Sequence, residues 1–181
     1  MIFRETKLKG CFIIEPKVFS DSRGYFMESF NKETFNFGIG ESVDFVQDNQ
    51  SFSFRGVIRG LHYQRGNHAQ AKLLRVLSGR VLDVAVDLRK GSSSFGEYVS
   101  IELTGENKKQ LYIPRGFAHG FAVLSKTAEF FYKCDNYYNK ESEGGILYND
   151  NTLNINWELP LSEHLISEKD LVLPKFKEAK L

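Results

Sequence analysis

Four side chains far apart in the sequence, His62, Lys72, Tyr132 and Asp170, form a complete set for moving protons next to a carbonyl group. An imidazole titrates near pH ~6.5 when unperturbed, so His62 suits proton abstraction close to neutrality. A lysine ammonium in a water-poor site stabilises a developing enolate as a Lewis acid would. One such donor typically contributes about 10²–10³ in rate. The Tyr132 phenol can donate a proton, and the Asp170 carboxylate can orient and charge-stabilise an imidazole. His62 and Lys72 share one segment, Arg59–Arg75, which gathers cationic and imidazole groups between hydrophobic strands. A second histidine follows in Ile113-Pro-Arg-Gly-Phe-Ala-His-Gly-Phe121.

Each of these residues also has an ordinary structural role open to it. His62 stands between Leu61 and Tyr63, as a satisfied core histidine does, and Lys72 opens a strand, where solvated lysines are common. Tyr132 shares the strand face of Phe130 and Cys134, which suits ring packing. Asp170 is the fourth residue of Ser167-Glu-Lys-Asp170, a capping-box spacing.

The elements that must position these groups have a period of two. Val81–Leu88 places Leu82, Val84, Val86 and Leu88 on one face and Asp83 and Asp87 on the other. Lys72–Leu77 leads into it through Ser78-Gly79-Arg80, a hairpin connection. Val99–Thr104 alternates, turns at Gly105–Lys108 and resumes over Gln110–Ile113, ended by Pro114 and Gly116. Gly120–Leu124 and Ala128–Cys134 read as the next strands. Asn31 caps a short helix over Lys32–Phe37, ended by Gly38 and Gly40, and a further turn starts at Ser167. Many short strands with frequent turns predict an all-β barrel or jelly roll in a single domain, 1–181. Residues 1–50 read as an arm with strand character at Phe12–Ile14, Tyr25–Met27 and Val43–Val46, of the kind that pairs with a second subunit.

Composition narrows the partners. Lys+Arg number 24 against Asp+Glu 23, so no strong field favours nucleic acid or a membrane surface, and neither is expected as a partner. Cys11 and Cys134 form no C-x-x-C pair and read as reduced, structural thiols. The first residues lack the apolar stretch of a signal peptide, and no run approaches a membrane span, so a cytoplasmic protein is expected. Arg23, Arg55, Arg59 and Arg65 together with Val46–Ser51 offer groups suited to a diphosphate. No Gly-x-Gly-x-x-Gly or P-loop pattern accompanies them.

The histidine-bearing strands resemble the two signature segments of cupins, the cupin-type double-stranded β-helix or jelly-roll barrel. Pro114–His119 fits the second segment. The first lacks the ligand glutamate around Ala69–Lys72, and His62, His68, His119 and His164 do not assemble a confident four-ligand set. A barrel that has lost its metal is the expectation, with Lys72 in place of the metal's charge.

Longer blocks then carry a specific likeness. Gly24-Tyr-Phe-Met-Glu28, Val46-Gln-Asp-Asn49, Arg59-Gly-Leu-His-Tyr-Gln64, Lys72-Leu-Leu-Arg75, Pro114–Phe121, Tyr132–Tyr138 and Ser142-Glu-Gly144 closely resemble the dTDP-4-dehydrorhamnose 3,5-epimerase family, from about Phe12 through Pro174. The resemblance implies a metal-free, cofactor-independent isomerase of dTDP-L-rhamnose biosynthesis, feeding cell-surface polysaccharide. It implies a homodimer with exchanged N-terminal strands, and a nucleotide-sugar substrate inverted at C3 and C5. It also implies roles: His62 the base, Asp170 its support, Tyr132 the donor on the opposite face, and Lys72 the residue at the C4 oxygen. Arg23, Glu28, Gln47, Asn49, Arg59, His119, Tyr138, Glu143 and Lys169 fall on substrate-binding positions, with Arg23 and Glu28 serving the neighbouring subunit. Tyr63 and Arg115 depart from the commonest family pattern, away from the proton path. Inversion of one centre only, a GDP-linked substrate and a non-catalytic sugar-binding cupin are the alternative readings.

Overall fold

The computed structural model describes residues 1–181. Two antiparallel sheets face each other. The chain runs through β1 (Ile2–Glu5), β2 (Phe12–Glu15), β3 (Val18–Asp21), β4 (Gly24–Met27), α1 (Lys32–Ile39), β5 (Gln47–Phe54) and β6 (Ile58–Gln64). It continues through β7 (Lys72–Ser78), β8 (Arg80–Asp87), β9 (Tyr98–Thr104), β10 (Gln110–Ile113), β11 (Phe117–Val123), β12 (Thr127–Cys134), β13 (Glu143–Gly145) and α2 (Glu168–Leu171). One sheet has six strands in the order β1-β2-β10-β7-β12-β5, and the other has five in the order β13-β6-β11-β8-β9. β3 and β4 form a separate hairpin. The jelly-roll barrel expected from the pattern is the observed architecture.

Inward-facing residues of both sheets, among them Leu74, Leu111, Phe121 and Phe130, pack together between them. Fully burying a side chain of this size contributes roughly 1.5–3 kcal/mol. The outer face of the five-stranded sheet is covered as well. Ile146, Tyr148, Leu153 and Trp157 of the C-terminal segment pack on Leu61, Leu82, Val84 and Val86. The N-terminal helix does the same for the six-stranded sheet, burying Phe35 against Leu73 and Tyr112.

This double covering buries both faces of β8. Its alternation suggests one polar, wet face, yet Val81 through Asp87 are all buried, with Asp83 and Asp87 fully so. The helix also differs in extent. Asn31 caps it as expected, accepting from the Thr34 amide, but Gly38 lies inside it and only Gly40, at φ 75°, ends it. Val43–Val46 is not a strand, and the neighbouring strand begins at Gln47. The strand expected from Gly120 starts at Phe117, so His119 is a strand residue with a fixed direction.

Candidate active site

The barrel opens into a cavity of about 1030 Å³ lined by residues of both sheets. His62, Lys72, Tyr132 and Asp170 all line it. The two sheets contribute different chemistry. His62 and Arg59 come from β6 and His119 from β11, all in the five-stranded sheet. Lys72 opens β7, Tyr132 and Cys134 lie on β12, and Gln47 and Asn49 on β5, all in the six-stranded sheet. The imidazole and the phenol therefore reach the cavity from opposite walls.

Strand pairing sets this arrangement. His62 lies directly across from His119 on β11, and Tyr132 across from Asn49 on β5. Lys72 lies across from Cys134 on β12. Gly60 lets β6 and β11 approach closely: at its φ of 133° an added Cβ would sit 2.6 Å from the Gly120 Cα. A larger residue there would push the His62 strand away from the His119 strand.

His62 Nε2 lies 2.7 Å from Asp170 Oδ1. Burial alone would raise the Asp170 carboxyl. The hydrogen bond and charge of His62, with the amide of Gly60 and the cap of Ser167, outweigh it and hold the group below its ordinary value. The two roles open to Asp170 divide between its atoms. Its backbone amide donates to Ser167 Oγ at 3.2 Å, while its carboxylate turns to His62 instead of back to the helix start. The imidazole side chain remains 34% exposed, facing the cavity with its partner 5% exposed.

Lys72 forms no ion pair, and burial lowers its ammonium from the ordinary lysine value. The ammonium lies 6.0 Å from the Tyr132 ring centroid. Burial raises the Tyr132 phenol, with Arg59 pulling it back. A phenol raised this way stays protonated near neutrality and can act as a donor.

Around the rim, Glu143 accepts from Lys169 Nζ at 2.5 Å and from the Tyr138 hydroxyl at 3.0 Å. Arg59 donates through Nε and Nη2 to Ser53 Oγ, both at 3.2 Å. Gln47 Oε1 accepts from the Tyr138 amide at 3.2 Å. Gln47, Asn49, Arg59, His119, Tyr138, Glu143 and Lys169, the substrate-binding positions implied by resemblance, all border the cavity.

Arg23 and Glu28 do not border it. Arg23 sits at the tip of the β3–β4 hairpin, paired with Asp21 at 2.7 Å, and Glu28 follows that hairpin. Phe19, Tyr25 and Phe26 of the same hairpin are more than half exposed. Two arginines considered for a diphosphate are engaged elsewhere. Arg55 bonds Glu163 and the Leu124 carbonyl, and Arg65 bonds the Glu141 carbonyl. Nowhere do three or more His, Cys, Asp or Glu side chains cluster closely enough to hold a metal ion.

Sequence reasoning missed Asp83, whose Oδ2 lies 2.9 Å from His119 Nε2. It also treated Cys134 as merely structural, whereas Cys134 lines the cavity beside Lys72. Asp83 is flanked by Leu82 and Val84 and shares its strand face with Asp87, so nothing in the sequence set it apart.

Residues 5–178 match the model of the dTDP-4-dehydrorhamnose 3,5-epimerase family. A relative of that name from Shigella flexneri is 53% identical over 175 residues, covering 97% of this chain and 96% of its own. A crystal structure of dTDP-4-dehydrorhamnose 3,5-epimerase from Elizabethkingia anophelis superposes with a TM-score of 0.94 at 57% identity, covering 97% of this chain and 96% of that one. A dTDP-6-deoxy-D-glucose-3,5-epimerase from Legionella pneumophila, solved in complex with dTDP-4-keto-L-rhamnose, gives 0.93 at 48% identity, covering 97% and 93%.

Proposed function

Because the chain belongs to the dTDP-4-dehydrorhamnose 3,5-epimerase family, we propose that His62 and Tyr132 are the paired base and acid of its reaction, with Lys72 at the C4 oxygen. The protein is an isomerase that inverts C3 and C5 of dTDP-4-dehydro-6-deoxy-D-glucose to give dTDP-4-dehydro-L-rhamnose. The observation that carries the residue assignment is the placement of His62 and Tyr132 on opposite sheets around one cavity.

The 4-keto group acidifies the hydrogens at C3 and C5. His62 takes one of them, and the C–H electron pair moves into an enolate whose oxygen meets the Lys72 ammonium. Tyr132 delivers a proton to the same carbon from the other wall, which inverts the centre. His62 has then gained one proton and Tyr132 has lost one, and exchange with water restores both before the next inversion. Asp170 holds the imidazole in position and stabilises its charged form. Gln47, Asn49, Arg59, Tyr138, Glu143 and Lys169 are assigned to holding the nucleotide sugar, and His119 to the sugar end.

Arg23 and Glu28 act across a homodimer in this reading, carried by the exposed aromatic hairpin to the partner's cavity. Residues 1–50 belong to the same single domain; β1, β2 and α1 pack on this chain's own six-stranded sheet, so the exchange is assigned to the β3–β4 hairpin. No helix is long and apolar enough to cross a membrane. Two buried, unpaired cysteines favour a reducing compartment, and the reaction is assigned to the cytoplasm.

Turnover of the dTDP-linked 4-keto sugar in deuterated water tests the activity: deuterium is expected at both C3 and C5, and label at one carbon or at neither would overturn it. Arm exchange is tested by refolding Arg23→Ala and His62→Ala chains together. The mixture should recover up to about a quarter of wild-type activity, because half the dimers are mixed and each carries one intact site. No recovery would contradict the exchange.

A further inference from the structure

We infer that a second, smaller cleft beside His62 is the route by which the base loses its proton to water between the two inversions, while the nucleotide sugar still fills the main cavity. This rests on the reading of His62 as the base and adds to it the path that resets it.

Two inversions by one base pose a problem of access. After the first, His62 carries the proton taken from carbon. It can abstract a second only once that N–H bond breaks and a water oxygen takes the proton. A bound sugar stands between the imidazole and the water of the main cavity. A side route resets the base without release of the singly inverted sugar.

Such a cleft, of about 440 Å³, lies between the edge strand β13 and the C-terminal segment. His62, Tyr63, Glu143 and Lys169 border both it and the main cavity. Lys72, Tyr132 and Asp170 border the main cavity alone, so His62 is the one member of the catalytic set with a second exit. The other walls are largely polar, with Arg65, Lys140, Glu178 and Lys180 beside Leu173 and Pro174. Arg65 has a buried Nε with no acceptor in the protein, and a group of this kind ordinarily bonds water.

Strand register opens the imidazole toward this side. Gly145 of β13 lies directly across from His62 and has no side chain to cover it. Leu173 packs over that glycine, where an added Cβ would come within 2.6 Å of the Leu173 Cδ2. Glu143 is two residues back on the same face of β13 and therefore diagonal to His62. Burial would raise the Glu143 carboxyl. The hydrogen bonds of Lys169 and Tyr138, with the charges of Lys169 and His62, outweigh it and hold the group below its ordinary value. An ionised carboxylate at the junction of the two cavities stabilises a proton in transit from imidazole to water.

Leu173→Trp and Lys140→Trp fill the cleft from two of its walls, and neither residue borders the main cavity. In single turnover the first inversion should keep its wild-type rate, and the second should slow roughly tenfold or more. Singly inverted sugar should then accumulate in solution, because the base resets only after release. Equal slowing of both inversions, or doubly inverted product formed at the wild-type rate, would overturn the inference. Wild-type protein gives a second readout that needs no variant to fold. Labelled substrate bound to it and chased with excess unlabelled substrate should emerge inverted at both carbons from one binding event, and labelled, singly inverted sugar released into the chase would overturn the inference. His62→Ala separates this from the parent reading: full exchange by that variant sinks the base itself, whereas unaltered filled-cleft variants beside an inactive His62→Ala sink only the role of the cleft.

Discussion

Two histidine–aspartate pairs, His62–Asp170 and His119–Asp83, have their histidines directly opposed across β6 and β11, with Asp170 supplied by α2 and Asp83 by β8. Their hydrogen bonds are nearly alike, at 2.7 and 2.9 Å. Their surroundings are not. The His62 side chain is 34% exposed and faces the cavity, whereas His119 is 8% exposed and Asp83 entirely buried. Exposure lets the first imidazole take a proton and hand it to water. Burial favours the neutral form of the second, against the opposing effect of Asp83. In the proposed reading, the same pair of residue types transfers protons where it is exposed, whereas the buried pair stays away from the proton path.

Removing one pair at a time sharpens this contrast. His62→Ala should have the largest effect, a loss of about 10²–10⁴ in exchange at both carbons by solvent-deuterium NMR. Lys72→Met should lower kcat by about 10²–10³ with little change in KM, because the ammonium acts on the enolate more than on the ketone. Tyr132→Phe should leave exchange measurable while net inversion slows, which separates abstraction from delivery. If both fall together, the phenol is not the donor on the second wall.

Acid stability distinguishes the pairs without any substrate. The folded Asp170 carboxyl lies below its unfolded value of about 3.9, so its contribution is complete above roughly pH 5 and is lost as pH falls through the folded value. Asp170→Asn should therefore flatten the decline in Tm between about pH 5 and pH 3 relative to wild type. An unchanged slope would show that the His62 interaction does not perturb Asp170. The smallest effect belongs to Ser167→Ala, which removes the cap of α2. It should cost about 1 kcal/mol in denaturant unfolding, with a few-fold loss of rate as the helix carrying Asp170 frays.

How far this molecule can be read from its sequence differs between the same two pairs. His62, Lys72 and Tyr132 were legible because their residue types suggest one chemistry and their strands alternate plainly. Asp170 was legible as a cap and also as an orienter, and backbone and side chain turn out to serve one role each. Asp83 was not legible. In Val81–Leu88 an aspartate opposite the apolar face reads as solvent-facing, and only the closing of the barrel buries both faces of the strand. β5 was missed for a related reason: Gln47–Phe54 is polar because half of it lines a wet cavity and rim. The expected strand at Val43–Val46 has the right residue types, but the chain there crosses to the sheet edge and Val43 packs against the helix instead. Arg55 and Arg65 match a diphosphate in type, yet local carbonyls and Glu163 engage them, which no spacing reveals.

The most direct test of the contrast is deuterium incorporation at C3 and C5 by His62→Ala and by His119→Ala, measured side by side with the dTDP-linked 4-keto sugar in deuterated water. Exchange should vanish at both carbons in His62→Ala and persist, slowed, at both in His119→Ala. Wild-type exchange by His62→Ala, or loss confined to His119→Ala, would contradict the assignment of the base to the exposed pair.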